Sequence, residues 1–251
     1  MFLESWARLV EFDPRKLADP QLIPDCMAML KDKTESRVAD FLEQHPTLDA
    51  VTAVQGFPVK SVQEYLSAID WSLLATTNLP GKFHGDPQPE NVIVRPDGTF
   101  VFIDWRDSFG ASLDIGDQYY DLGKIYHACI VSNKLIQQGK FGVQETNGQA
   151  TLQLELHKGL VPILYALRNR LLTYGLSWKK VELLGSLQYI TIASLYQQNP
   201  TYQKFLFLLG KLCLATIEYG YSPLSLLEPL QSGVHYTPKR TVQKSPNLRT
   251  Y

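Results

Sequence analysis

One segment constrains this chain more than any other: His84-Gly85-Asp86-Pro87-Gln88-Pro89-Glu90-Asn91, followed by Val92-Ile93-Val94, a Pro96-Asp97-Gly98 turn, Thr99-Phe100-Val101-Phe102-Ile103 and then Asp104-Trp105. β-Branched and aromatic residues on both sides of strong turn formers specify a β-hairpin. An antiparallel hairpin returns its two outer ends to one place, so Asn91 and Asp104 become neighbours although thirteen positions separate them. Asp86 lies on the loop that feeds the first strand. Three oxygen-bearing side chains are therefore expected at one end of a rigid element, a loop carboxylate beside two suitable ligands for a hard cation such as Mg²⁺. The second strand is apolar at successive positions, which predicts that both of its faces are covered and that the hairpin is internal.

Phosphoryl transfer from a nucleotide needs that set: a carboxylate to orient the attacking hydroxyl and accept its proton, and a carboxylate with a carboxamide to hold the metal that neutralises the phosphates. The interval from Asp86 to Asn91 fits the kinase pattern H-R-D-L-x-x-x-N, with Gly85 in place of the Arg and Pro87 in place of the Leu. Asp and Asn are also ordinary turn formers, and alone at this spacing they would mean no more than that. The combination with His84, Gly85, the hairpin and Ile103-Asp104 carries the reading.

The segment resembles the aminoglycoside phosphotransferase and choline kinase group of protein-kinase-like enzymes, which carry H-G-D-x-x-x-x-N followed by a strand ending in I-D-W or I-D-F. The resemblance implies that Asp86 is the catalytic base, that Asn91 and Asp104 are metal ligands, and that His84 braces the loop. Leu113 to Lys124 resembles the group's G-D-x-x-x-D-L-A helix start. There Asp114 is the expected N-cap, with Asp117 near the positive end of the helix dipole, and the resemblance implies that Asp117 or Asp121 holds the catalytic loop through backbone N–H groups. Arg106 and Asp107 are candidates for substrate or phosphate contact, against a reading as solvated loop charge. The implied reaction moves the γ-phosphoryl group of ATP, or another nucleoside triphosphate, to a hydroxyl of a small molecule such as a sugar, amino-sugar or amino-alcohol, with Mg²⁺ required. The specific match runs from His84 to Ala128.

The fold class expected is α+β and mostly helical: the C-terminal lobe of a protein-kinase-like fold, with a central β-hairpin carrying the site. Residues 1–83 are expected to be a helical connecting segment, 84–231 the catalytic lobe and 232–251 a mobile basic tail bearing Lys239, Arg240, Lys244 and Arg249. Capping-box spacings at Asp32-Glu35 and Ser61-Glu64 predict helix starts, the first burying Val38, Phe41 and Leu42 and the second continuing through Leu66, Ile69 and Leu73. Beyond Asp114 the pattern is helical throughout, including the segments from Thr151 and Thr201. Lys33 and Arg37, one helical turn apart, read as an exposed charged face more readily than as an anion site. Tyr119, Tyr120 and Tyr126 read as packing, with lining of a substrate pocket as the alternative.

Kinase-like enzymes place a strand-rich lobe before the catalytic loop, with a glycine-rich loop, a strand lysine and a helix glutamate. None of these precedes His84, since Gly56 stands alone and Val59-Lys60 lacks the surrounding strands. The nucleotide grip is therefore expected from an upstream segment or a separate chain, and a non-catalytic kinase-like binding or regulatory module is the alternative function. A formal charge of −1 argues against nucleic acid as partner. No apolar run reaches the ~20 residues of a membrane span, and Glu4 stands where a signal peptide needs positive charge. Cys26, Cys129 and Cys213 lack disulfide-framework or zinc spacing, and His45, His127, His157 and His235 lack metal spacing, so a cytoplasmic protein is expected.

Overall fold

The computed structural model describes residues 1–234 and Leu248, which form a mixed α+β fold that is mostly helical. The basic residues from Lys239 to Arg249 and His235 lie outside the described residues. After α1 (Phe2–Leu9), one helical rod runs through α2 (Ile23–Cys26), a π-helical turn over Met27–Asp32 and α3 (Lys33–Gln44). The helix start expected at Asp32 is absent, because the π turn carries the chain straight through: Asp32 has helical backbone angles and caps nothing, and Thr34 bonds back to the Leu30 carbonyl at 2.6 Å. The rod stops before Pro46 with Val38 and Phe41 buried, as the sequence predicts.

A short hairpin of β1 (Ala53–Val54) and β2 (Phe57–Pro58) follows. α4 (Val62–Ala68) opens with the complete Ser61/Glu64 capping box. It ends sooner than the periodicity suggests: Ile69 is extended, and Asp70 caps Leu73 N–H to begin a separate α5 (Trp71–Thr76). The chain then enters β3 (Pro80–Gly81) and the hairpin of β4 (Val92–Val94) and β5 (Phe100–Phe102), in the register Val92↔Phe102. One face of that hairpin packs on α1, with the Phe2 ring 5.5 Å from Phe102 and 6.2 Å from Phe100. The other face is open, Ile93 being 51% and Ile103 42% exposed. The hairpin is thus not internal, because nothing among the described residues covers the side opposite α1.

β6 (Gly116–Asp117) pairs antiparallel with β3 and leads directly into α6 (Gln118–Ile130) and α7 (Asn133–Gln137). The helical reading beyond Asp114 fails next, at β7 (Phe141–Thr146) and β8 (Gln149–Leu154), so Thr151 lies in a strand. Their two-residue turn, Asn147-Gly148, has φ of 53° and 73°, the left-handed pair whose twist suits a tight hairpin. Alternate residues Ala150, Leu152 and Leu154 face the core, and β1 joins β8 in parallel, giving a sheet of order β2-β1-β8-β7.

α8 (Val161–Thr173) flanks a pair of helices buried on nearly every side, α9 (Trp178–Ala193) and α10 (Pro200–Glu218), before α11 (Leu227–Ser232). α6 and α10 both pack on α9. The close approach of α6 needs Gly185, where a Cβ would sit 2.2 Å from the Tyr126 ring. Buried lysines are satisfied by carbonyl oxygens: Lys180 donates to Leu74 and Thr77 at 2.9 and 3.0 Å, and Lys211 to Asp49 and Val51 at 2.8 and 3.0 Å. The run Phe205 to Ile217 is therefore a core helix, and among the described residues no helix is long and apolar enough to cross a membrane.

Candidate active site

The loop from His84 to Asn91 is held from behind by one carboxylate. Asp121, fully buried on α6, accepts from His84 N and Gly85 N at 2.8 Å each and from Trp6 Nε1 at 3.1 Å. Burial pushes its pKa up to about 6 against the pull of these three donors. Asp117 works one step earlier in the chain. Its Oδ1 accepts from Leu79 N at 2.9 Å and Tyr119 N at 3.0 Å, and Oδ2 lies 3.3 Å from the Lys180 ammonium. Asp117, not Asp114, is the N-cap of α6, because β6 occupies positions 116 and 117 and the helix can begin only after it.

Within the loop, His84 Nδ1 accepts from Asp86 N at 3.2 Å and the ring lies 4.7 Å from that of Trp105. Burial lowers the His84 pKa, with the Ile103 backbone and the Asp86 and Asp104 carboxylates opposing. His84 is therefore a neutral brace near pH 7. Gly85 has φ of +84°, and a Cβ there would meet Arg106 Cγ at 2.4 Å. The stem of Arg106 fills the space left by the missing side chain, while Arg106 N donates to the His84 carbonyl at 2.9 Å.

Asp86 is brought to Asn91, whose amide nitrogen donates to the Asp86 carbonyl at 2.9 Å and reaches its Oδ2 at 3.5 Å. Gln88 Nε2 donates to the same carboxylate oxygen at 3.2 Å. Ile103 N donates to the Asn91 carbonyl at 2.9 Å, closing the last rung of the hairpin beside Asp104. Asp104 leaves the strand at φ of +61°, a left-handed conformation that aspartate tolerates better than most residues. Its carboxylate accepts no hydrogen bond from the described residues, and Asn91 Oδ1 accepts none either. Those two oxygen donors suit a hard cation, although among the described residues no three His, Cys, Asp or Glu side chains cluster as a cage.

On the other side of Asp86 lies a cavity of about 310 Å³. Lys33 and Arg37 enter it from α3, Arg106 from the segment after β5, and Lys124 and His127 from α6. Lys124 Nζ is 3.2 Å from Asp86 Oδ1, an ion pair without hydrogen-bond alignment. Lys33 donates to the Tyr120 hydroxyl at 3.2 Å.

Residues 8–146, more than half of the chain, match the model of the phosphotransferase enzyme family. The chain belongs to this family. No curated protein and no solved structure matches it. Of the residues that the family resemblance pointed to, this phosphotransferase-family chain brings Asp86 and Asn91 into direct contact, sets Asp104 at the same hairpin end, and places Asp121 on the loop backbone. Asp107 is exposed and lines no part of the cavity. Lys33 and Arg37 do not form a solvated face, since both line the cavity, where Lys33 and Lys124 share the Tyr120 side chain. Sequence reasoning missed Lys124. A lone cation among Leu122, Ile125 and Tyr126 on a buried helix was the available signal, because a lysine at a core position needs a partner.

Proposed function

We propose that this member of the phosphotransferase family is the C-terminal lobe of a protein-kinase-like enzyme that transfers the γ-phosphoryl group of ATP, or another nucleoside triphosphate, to a small-molecule hydroxyl. The observation that carries the reading is the convergence of Asp86, Asn91 and Asp104 on one end of a hairpin, with the loop fixed by Asp121. In this reading the acceptor oxygen attacks the γ-phosphorus, its proton passes to the Asp86 carboxylate, and the bond to the β-phosphate oxygen breaks to release the diphosphate. Asn91 Oδ1 and the Asp104 carboxylate would hold Mg²⁺, which supplies charge neutralisation on the phosphates. Asp121 and His84 act through the loop, keeping Asp86 within reach of the acceptor.

The open face of the hairpin at Ile93 and Ile103 adjoins Asn91 and Asp104, so it is the natural floor for the nucleotide and for an element that closes over it from an upstream segment or a separate chain. That uncovered face also favours a second reading, a kinase-like binding or regulatory module without turnover. The buried free thiols fit a reducing cytoplasm. The two functional readings part in one assay: ³¹P NMR of the protein with Mg²⁺, ATP and a panel of alcohols. Formation of a phosphomonoester with matching ADP, abolished by Asp86→Asn, supports the enzyme; nucleotide binding without product supports the module.

A further inference from the structure

We propose that the cavity beside Asp86 is built for an anionic acceptor: the alcohol presented to Asp86 already carries a phosphate monoester, which Lys33, Arg37 and Arg106 receive. That the anion belongs to an acceptor rests on the phosphotransfer reading; that the cavity binds an anion does not.

Four cations line the cavity, and Asp86 is the one acid among the lining residues. Lys124 is committed to Asp86, whereas no carboxylate among the described residues pairs with Lys33, Arg37 or Arg106. Cations delivered from three separate parts of the chain to one partly dry space repel each other, and a dianion is the ligand that relieves the repulsion. Burial holds Lys33 below its ordinary pKa, with Arg37 and Lys124 adding to the effect against the Tyr120 hydroxyl. Tyr120 registers the same field. Burial pushes its phenol up, yet Lys124, Lys33 and Arg106 together bring it below the ordinary tyrosine value. His127 supplies an independent sign of a ligand. It is 6% exposed, lines the cavity, and neither ring nitrogen has a hydrogen-bond partner among the described residues. Burial, reinforced by Lys124, pushes its pKa down to about 3, so it offers a neutral N–H donor beside the cations.

Position assigns the cavity to the acceptor. Asp86 and Gln88 line it, but Asn91 and Asp104 do not, so it lies on the side of the base away from the oxygens suited to the metal. An amino-sugar or amino-alcohol would bring its ammonium against four like charges, and this selects against the cationic acceptors among those the family resemblance implies.

The test is calorimetric titration of the full chain with inorganic phosphate, glucose 6-phosphate, glucose and glucosamine, each repeated with saturating Mg²⁺–ADP. Glucose 6-phosphate and phosphate should bind at least about tenfold more tightly than glucose or glucosamine. Arg37→Ala and Lys33→Met, checked by circular dichroism for intact folding, should each weaken phosphate binding about tenfold or more, the loss expected for a charge-assisted hydrogen bond. Mg²⁺–ADP should leave the phosphate affinity unchanged. Equal or tighter binding of glucosamine, phosphate affinity that survives both substitutions, or competition between phosphate and Mg²⁺–ADP would each overturn the proposal, the last by making this the donor's phosphate site. Phosphate ester binding with no phosphorylation of the ester by ATP and Mg²⁺, even with the element that closes over the nucleotide supplied, would support the anion site while removing the phosphotransfer reading.

Discussion

Replacing Asp121 by Asn tests how the loop from His84 to Asn91 is held, because two opposing effects can be sized from the contacts. All three groups that face the Asp121 carboxylate are donors: His84 N, Gly85 N and Trp6 Nε1. A carboxamide can accept at one end only, so its NH₂ group must face a donor, most directly Gly85 N, and the mismatch leaves buried N–H groups unpaired at about 1–3 kcal/mol each. Against this, the variant no longer buries a charge. The native pKa of about 6 stands above the ordinary 3.8, and at ~1.4 kcal/mol per pH unit this difference is about 3 kcal/mol. The raised value fixes the sign: the native protein binds the extra proton, so this contribution is fully present below pH 3.8 and is lost as pH rises through about 6. Urea denaturation of wild type and Asp121→Asn between pH 4 and 7 should therefore show the wild type losing about 2 kcal/mol relative to the variant across that interval, other groups cancelling in the difference. Parallel stability profiles would refute the reasoning, since they would mean that Asp121 does not titrate as a buried brace.

Two further outcomes follow from the same contacts. Asp86→Asn should lower turnover on the order of 10²-fold or more, and it should also cost about 1–3 kcal/mol of stability, because Lys124 loses the partner of its buried ammonium; adding Lys124→Met should recover the stability but not the activity, as read by denaturation and product formation. Gly85→Ala should destabilise by about 1–3 kcal/mol in thermal unfolding, through the positive φ and the 2.4 Å approach to Arg106, and Arg106→Ala should relieve the part due to the contact.

The arrangement of Asp86, Asn91 and Asp104 was legible because it is local. The interval between Asn91 and Asp104 is set by the hairpin register, and the bond from Ile103 N to the Asn91 carbonyl is the rung that the turn chemistry implies. The β7–β8 hairpin was equally local, since Asn147-Gly148 stands between Phe141-Gly-Val-Gln-Glu-Thr and Gln-Ala-Thr-Leu-Gln-Leu, but the surrounding helical periodicity masked it. β1 carried no readable signal: it is two residues long, and besides its local partner β2 it is held in the sheet by β8, nearly a hundred positions later. The π turn at Met27–Asp32 and the convergence of Lys33, Arg37, Arg106 and Lys124 are likewise tertiary facts, set by how α3 and α6 each pack on α9 rather than by any spacing along the chain. The coverage of the hairpin was misread for a related reason. An apolar strand states that it can be covered, and the sequence does not state what covers it.

The central claim is that Asn91 and Asp104 form the metal–nucleotide end of a phosphotransfer site whose other end is Asp86. It is tested most directly by NMR of the isotope-labelled protein titrated with Mn²⁺ and a non-hydrolysable ATP analogue, in which paramagnetic broadening reports distance from the cation. The account predicts selective broadening of the Asn91, Ile103 and Asp104 resonances, weaker broadening at Asp86, and loss of the effect in Asp104→Ala. Broadening centred elsewhere in the chain, or unchanged after Asp104→Ala and Asn91→Ala, would contradict it.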